Sequence, residues 1–318
     1  MSFEVVTVGE AMLRLSVPPG ARLETARSLD VHVAGSEANV AVALARLGRT
    51  VAWLSSLPEG PLGRRVSTEL AGHGVDISHV RWVPDARLGI FYPELTPPPR
   101  RVTTVYDRRN SPAAKMSPSD FPWSVVAESR LVHVSGITPA LSPSCRQLCE
   151  ELAARARGSG VAFSLDVNYR AKLWGVDEAR SCLESLASGA DLLIVGREDA
   201  RDVFGCEGEP EAVLNGLVAR TGAHHLVLTL GGNGAAFRSP TGTGMVAGVP
   251  ATIVDRLGAG DAFTAGVIHG FLAGDLEQGV RIGTAMGSIA LGITGDQVIT
   301  TMAEIDEVLG GSGRAVDR

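Results

Sequence analysis

Between residues 131 and 230, short apolar runs alternate with segments of helical period, and that rhythm leaves few folds open. The runs Leu131 to Ser135, Val161 to Val167, Leu192 to Val195 and Leu226 to Leu230 are short and almost wholly apolar, as fully buried strands are. Between them, near Ser142 to Arg157, Val176 to Ala187, Arg197 to Phe204 and Pro210 to Thr221, apolar residues recur at helical spacing. This pattern predicts a parallel sheet covered by helices on both faces. The chain starts the same way. A buried strand ends at Gly9, and a helix from Asn39 to Leu47 is stopped by Gly48. A strand (Val51 to Leu54) and a helix (Pro61 to His73) ended by Gly74 come next.

Three stretches break the rhythm. From Pro18 to Val33 the helical period is missing and short alternations suggest extended structure. Val80-Arg-Trp-Val, Gly89-Ile-Phe-Tyr and Arg101-Val-Thr-Thr-Val-Tyr alternate as strands do around a Pro97 to Pro99 turn, which predicts a small β-rich excursion. Ala259 to Leu309 is helical with glycine punctuation, and the tail 310–318 is expected to fray.

Composition excludes several classes. A net charge of −6 argues against a nucleic-acid partner. No apolar stretch approaches the roughly 20 residues of a membrane span, and the N-terminus lacks a signal peptide's basic start, so a cytoplasmic location is expected. The four cysteines fall in no CxxC pair and are expected to be reduced. Only Lys115 and Lys172 stand against 27 arginines, and no GxxxxGK[ST] loop exists. A phosphotransferase built from this chain would neutralise phosphate with backbone N–H groups, arginine and a metal ion.

The segment Asp255-Arg-Leu-Gly258-Ala-Gly260-Asp261-Ala-Phe-Thr-Ala-Gly266 points to that chemistry. It follows a strand-like run, Ala251 to Val254, and opens a helix, so its glycines can curl successive N–H groups around one anion. Asp261 beside such a site makes sense as a proton acceptor. Phe263 stands where a dinucleotide fingerprint needs glycine. A second segment, Gly35-Ser-Glu-Ala-Asn39 to Gly48, also starts a helix after a glycine. In an open parallel sheet, ligands gather at the carboxyl ends of the strands. Asp166, Asn168 and Arg170, then Gly231 and Gly234, then Asp255 to Asp261 all fall at such ends. His133, His224, His225 and His269 are expected to be packing or surface residues.

Together the two glycine segments resemble the signatures of the PfkB (ribokinase-like) carbohydrate kinases, and the resemblance spans nearly the whole chain. It implies a three-layer α/β/α domain with a mostly parallel sheet (1–11, 35–85 and 113–309) and a small β-sheet lid (12–34 and 86–112). Tyr106-Asp-Arg108-Arg-Asn-Ser111, Val134 to Ser142 and Leu165-Asp-Val-Asn168-Tyr-Arg170-Ala-Lys-Leu-Trp174 look most like the branch that phosphorylates 2-keto-3-deoxygluconate at its C6 hydroxyl with ATP and Mg2+. Other acceptors (fructose, ribose, 2-keto-3-deoxygalactonate) or a non-catalytic sugar-binding protein on the same scaffold are the alternatives.

Carried over, the resemblance implies that Gly35, Glu37 and Asn39 touch the sugar acid, that Phe91 and Tyr106 wall its pocket, and that Arg108 and Arg170 grip its carboxylate as a planar fork. Pairing of those arginines with Asp107 or Asp166 is the competing reading. Arg14 stands where such sites usually place an aspartate for sugar hydroxyls, which would suit an acid. Asp261 would deprotonate the hydroxyl, and the N–H groups of Gly258, Ala259 and Gly260 would stabilise the moving phosphoryl group. Asn168, Arg170, Thr229, Gly231, Gly234 and Thr284 would face the nucleotide. The family's Asn-x-x-Glu segment reads Gly196-Arg-Glu-Asp199 here, which makes Asp199, through water, and Asp255 the candidate metal ligands. A monovalent cation such as K+ behind the Asp255 loop is left open. Exposed lid edges favour a homo-oligomer.

Overall fold

The computed structural model describes residues 2–18, 20–95 and 102–311. Fourteen strands are described: β1 (Val5–Val8), β2 (Met12–Ser16), β3 (Asp30–Ala34), β4 (Val51–Leu54), β5 (Ser56–Pro58), β6 (Arg81–Val83) and β7 (Ile90–Glu94), then β8 (Thr103–Asp107), β9 (Leu131–Ser135), β10 (Ala162–Asp166), β11 (Leu192–Gly196), β12 (His225–Thr229), β13 (Ala235–Ser239) and β14 (Gly242–Val246). Eight of them form one sheet in the order β14-β13-β12-β11-β10-β9-β1-β4. The six from β12 to β4 run parallel, and β13 and β14 add an antiparallel edge. The parallel strands are apolar because helices cover both faces, so neither face meets water. One apolar core lies between the sheet and helices Ser36–Arg46, Ala259–Ala273 and Leu276–Leu291. A second lies beneath helices Pro143–Ser159, Val176–Ala187 and Pro210–Thr221.

The glycines of the last helical region have a packing cause. A Cβ on Gly266 would come within 2.5 Å of Gly283 N, and one on Gly270 within 2.2 Å of the Gly279 Cα. Helices Ala259–Ala273 and Leu276–Leu291 therefore touch backbone to backbone, which fixes where the first of them starts.

A separate four-stranded sheet, β3-β2-β7-β8, stands over the carboxyl end of the main one. β3, β7 and β8 come from the two stretches where helical period failed, and β2 precedes the first of them. β6 differs from the expectation: it pairs with β5 in a two-stranded ribbon instead of joining this sheet. Two further corrections concern the edges. Ala251 to Val254 is not a strand; all four residues are exposed, and of their N–H groups Val254's meets Leu291 O. The hairpin β13–β14 has no counterpart in the sequence reading. The Pro97–Pro99 turn and residues 312–318 lie outside the described residues.

Candidate active site

Two helices begin at the same place. Helix Ser36–Arg46 follows Gly35 and helix Ala259–Ala273 follows Gly258, and neither has a side-chain cap. Their first N–H groups thus lack both intrahelical and side-chain acceptors, and two positive dipole ends converge. Gly258 adopts φ 81°, and a Cβ there would lie 1.9 Å from Asp296 O, so only glycine fits this turn.

Asp261, in the first turn of its helix, sits at the meeting point. Its Oδ1 accepts the Ser36 hydroxyl at 2.7 Å and its Oδ2 accepts Asn39 Nδ2 at 2.7 Å. Asn168, at φ 36° just past β10, donates from Nδ2 to Ser36 Oγ at 3.1 Å. Burial raises the Asp261 pKa, while Ser36, Asn39 and the field of Arg170 restrain the rise. The result is a carboxylate of fixed orientation and raised basicity.

A second carboxylate stands beside it. Asp166, at the end of β10, accepts the Thr264 hydroxyl at 3.0 Å and is pushed up to about 7 by burial and by the neighbouring charges of Asp261 and Asp199. Asp199 is raised by burial too, though it accepts the Tyr169 N–H at 3.1 Å. Because the folded pKa of Asp166 lies above its ordinary 3.8, folding takes up a proton between those values. Stability present below about pH 4 is then lost as pH rises through about 7. Asp166→Asn is expected to exceed the wild type in stability at pH 8 by about 2–4 kcal/mol and to match it near pH 4. Urea unfolding at both pH values measures this, and an equal difference at both would contradict it.

The pocket between the two sheets has a volume of about 900 Å³. Gly35, Glu37, Asn39, Phe91, Tyr106, Arg108, Asn168, Arg170, Gly258 and Asp261 all reach its wall. Phe91 and Tyr106 stack at 5.6 Å between centroids. Glu37 is nearly inaccessible and accepts the Ser135 N–H, the Ser135 hydroxyl and the Thr138 hydroxyl, so it braces the floor. A neighbouring cleft of about 690 Å³ is lined by Gly196, Asp199, Thr229 and Gly231. Gly234 and Thr284 line neither cavity. Gly234 is packed against Val246 O of β14, and the Thr284 hydroxyl donates to Arg281 O within its own helix.

Arg108, Asp255 and Arg14 depart from expectation. Arg108 and Arg170 do not stand as a free fork. Arg108 donates from Nε (2.8 Å) and Nη2 to Glu10, which also accepts the Ser111 hydroxyl. Asp107 is held by Arg87 instead. Arg170 is exposed and has no hydrogen-bonded or ionic partner among the described residues, so it is the cation that faces Asp261, Asp166 and Asp199. Asp255 is not open to a metal: it is 2% exposed and paired with Arg14 at 2.5 Å. Arg14, wholly buried, is not open to substrate either. Ser36 and Glu10 were missed in the sequence. Each directly follows a glycine that ends a strand or starts a helix, and that position was the available signal.

A glycine turn that opens a helix, an oriented carboxylate beside it and a smaller sheet over the pocket are the parts a sugar kinase of α/β type would need. The chain belongs to the pfkB family of carbohydrate kinases, whose family model matches residues 2–302. It is 40% identical to a 2-dehydro-3-deoxygalactonokinase of Haloferax volcanii, over the full length of both chains. It is 31% identical to a 2-dehydro-3-deoxygluconokinase of Bacillus subtilis, covering 93% of this chain and 92% of that one. The crystal structure of a 2-dehydro-3-deoxygluconokinase from Thermotoga maritima superposes with a TM-score of 0.90 at 30% identity, covering 98% and 99% of the two chains. The chain is therefore a kinase with a ribokinase-like fold. No helix among the described residues is long and apolar enough to cross a membrane.

Proposed function

We propose that this kinase transfers the γ-phosphoryl group of ATP to the C6 hydroxyl of 2-keto-3-deoxygluconate or its galactonate epimer. The observation that carries this reading is Asp261, held by Ser36 and Asn39 where two uncapped helix N-termini meet, with Arg170, unpartnered among the described residues, on the wall of the same pocket. The sugar acid lies between the sheets with its terminal hydroxyl at Asp261. Asn39 Oδ1, buried and without a partner among the described residues, accepts one of its hydroxyls. Arg170 holds its carboxylate, and Arg108, already spent on Glu10, offers at most Nη1. The nucleotide occupies the cleft at Thr229 and Gly231, with its γ-phosphate toward the turn 258–260. Asp261 takes the proton as the hydroxyl attacks in line, and the turn's N–H groups meet the charge that spreads over the equatorial oxygens. Asp199, which lines the nucleotide cleft, would hold Mg2+ through water, with Asp166 adding negative charge behind it, and the ion would neutralise the triphosphate. The small sheet acts as the lid.

The two arginines separate by experiment. Arg170→Ala is expected to raise KM for the keto-acid about 10- to 100-fold with little change in melting temperature, since it removes a charge-assisted contact made only to ligand. Arg108→Ala leaves Glu10 buried without its cation and is expected to cost about 3–5 kcal/mol of stability. An unchanged KM in Arg170→Ala would remove the carboxylate assignment.

A further inference from the structure

Arg14 is among the largest wholly buried side chains of the protein, and every nitrogen of its guanidinium is engaged. It projects from β2, in the small sheet. Nε donates to Ser16 Oγ at 2.6 Å, Nη1 to Asp296 Oδ1 at 2.6 Å and Nη2 to Asp255 Oδ2 at 2.5 Å. The two carboxylates belong to different loops of the main body. Asp255 opens the glycine turn, and its Oδ1 accepts the Leu257 N–H at 3.1 Å. Its Oδ2 also accepts the Gly295 N–H at 3.3 Å, which ties the turn to the loop that carries Asp296. That loop lies directly beneath the turn, since Asp296 O stands 1.9 Å from where a Gly258 Cβ would be. One guanidinium therefore fastens the small sheet, the turn and its support together.

Stability is a weak reason for this arrangement. A buried ion triad is often no better for folding than apolar side chains of the same volume, because desolvation offsets the attraction. Position is a better reason, because both carboxylates flank the groups that must be aimed. We infer that Arg14 is a positioning residue for phosphoryl transfer, which holds Asp255 and Asp296 so that the N–H groups of residues 258–260 stay aimed beside Asp261. This rests on the proposed roles of the turn and of Asp261.

The test uses Arg14→Met, Arg14→Lys and the double variant Arg14→Met/Asp296→Asn, with kcat and KM measured per folded enzyme. Arg14→Met is expected to lower kcat about 10²-fold with KM for ATP and sugar acid within about threefold, as a turn displaced by about 1 Å would do. Its residual kcat is expected to fall further from pH 6 to 8.5. Burial already raises Asp296 to about 6 against the restraint of Arg14, so without the guanidinium its ionisation with rising pH repels the Asp255 side and drives the two loops apart. Arg14→Lys keeps a cation without the fork and should return kcat to within about tenfold of wild type, with the pH dependence flattened. If Arg14→Met does not fold, the double variant removes the repulsion. Its kcat should still be low, now with no added pH dependence. Full kcat in any folded variant lacking the cation, or a loss confined to melting temperature, would overturn the inference. Asp261→Asn run alongside keeps the two claims apart: if it retains full turnover, the catalytic reading of the turn fails whatever Arg14 does.

Discussion

Asp261→Asn is expected to lower kcat by about 10² to 10⁴ while KM for the sugar acid changes by less than about threefold. The amide nearly matches the carboxylate in size; its oxygen still accepts from one of Ser36 Oγ and Asn39 Nδ2, and its NH2 can donate to Ser36 Oγ or to the oxygen of a flipped Asn39. Structure is thus largely kept, and the lost quantity is a proton acceptor of raised basicity. The pH profile supplies a second check. A base must be ionised to act, so activity falls as pH drops through its pKa. Because burial raises the Asp261 pKa, the acid limb of kcat/KM should lie above the ordinary carboxylate range. A variant that kept the wild-type rate would remove the base assignment.

Gly258→Ala carries the second large effect. The residue has φ 81°, where a Cβ is strained, and the added methyl would meet Asp296 O at 1.9 Å. Strain in that region costs on the order of 1–3 kcal/mol, and a clash with backbone cannot be relieved by a side-chain rotation. The turn must move, and with it the N–H groups of Ala259 and Gly260. Loss of one such donor elsewhere costs about 10² to 10³ in kcat, so a fall of at least about 10²-fold is expected, with a lower melting temperature. Gly260→Ala is the control, because a Cβ there meets nothing within 4 Å. If both glycine variants lose equal activity, steric displacement of the turn is not the cause.

The main sheet was legible because buried parallel strands need near-continuous apolar runs, and β9 to β12 have them. The turn at Gly258 was legible because a left-handed residue before a helix favours glycine, and Asp261 because acidic residues suit a first turn; that Ser36 and Asn39 hold its carboxylate needed the fold. Ala251 to Val254 misled because its β-branched residues suit a strand, yet no neighbouring strand pairs with them. Charged pairs were harder to read. Arg108 meets Glu10 across 98 residues, and Arg14 meets Asp255 and Asp296 across 241 and 282. Residue type announces a guanidinium, but only the fold decides whether it faces a ligand or a buried carboxylate. The same holds for Asp166, raised first by its burial in the fold and then by Asp261 and Asp199 being brought close.

Release of ADP with Mg-ATP, assayed against 2-keto-3-deoxygluconate, 2-keto-3-deoxygalactonate, gluconate, fructose and ribose, tests the central claim most directly. The proposed site should turn over one or both keto-deoxy acids with kcat/KM at least about 10²-fold above the neutral sugars, the discrimination one charge-assisted contact to the ligand supplies. Equal or better turnover of fructose or ribose would contradict the assignment of Arg170 and, with it, the proposed substrate.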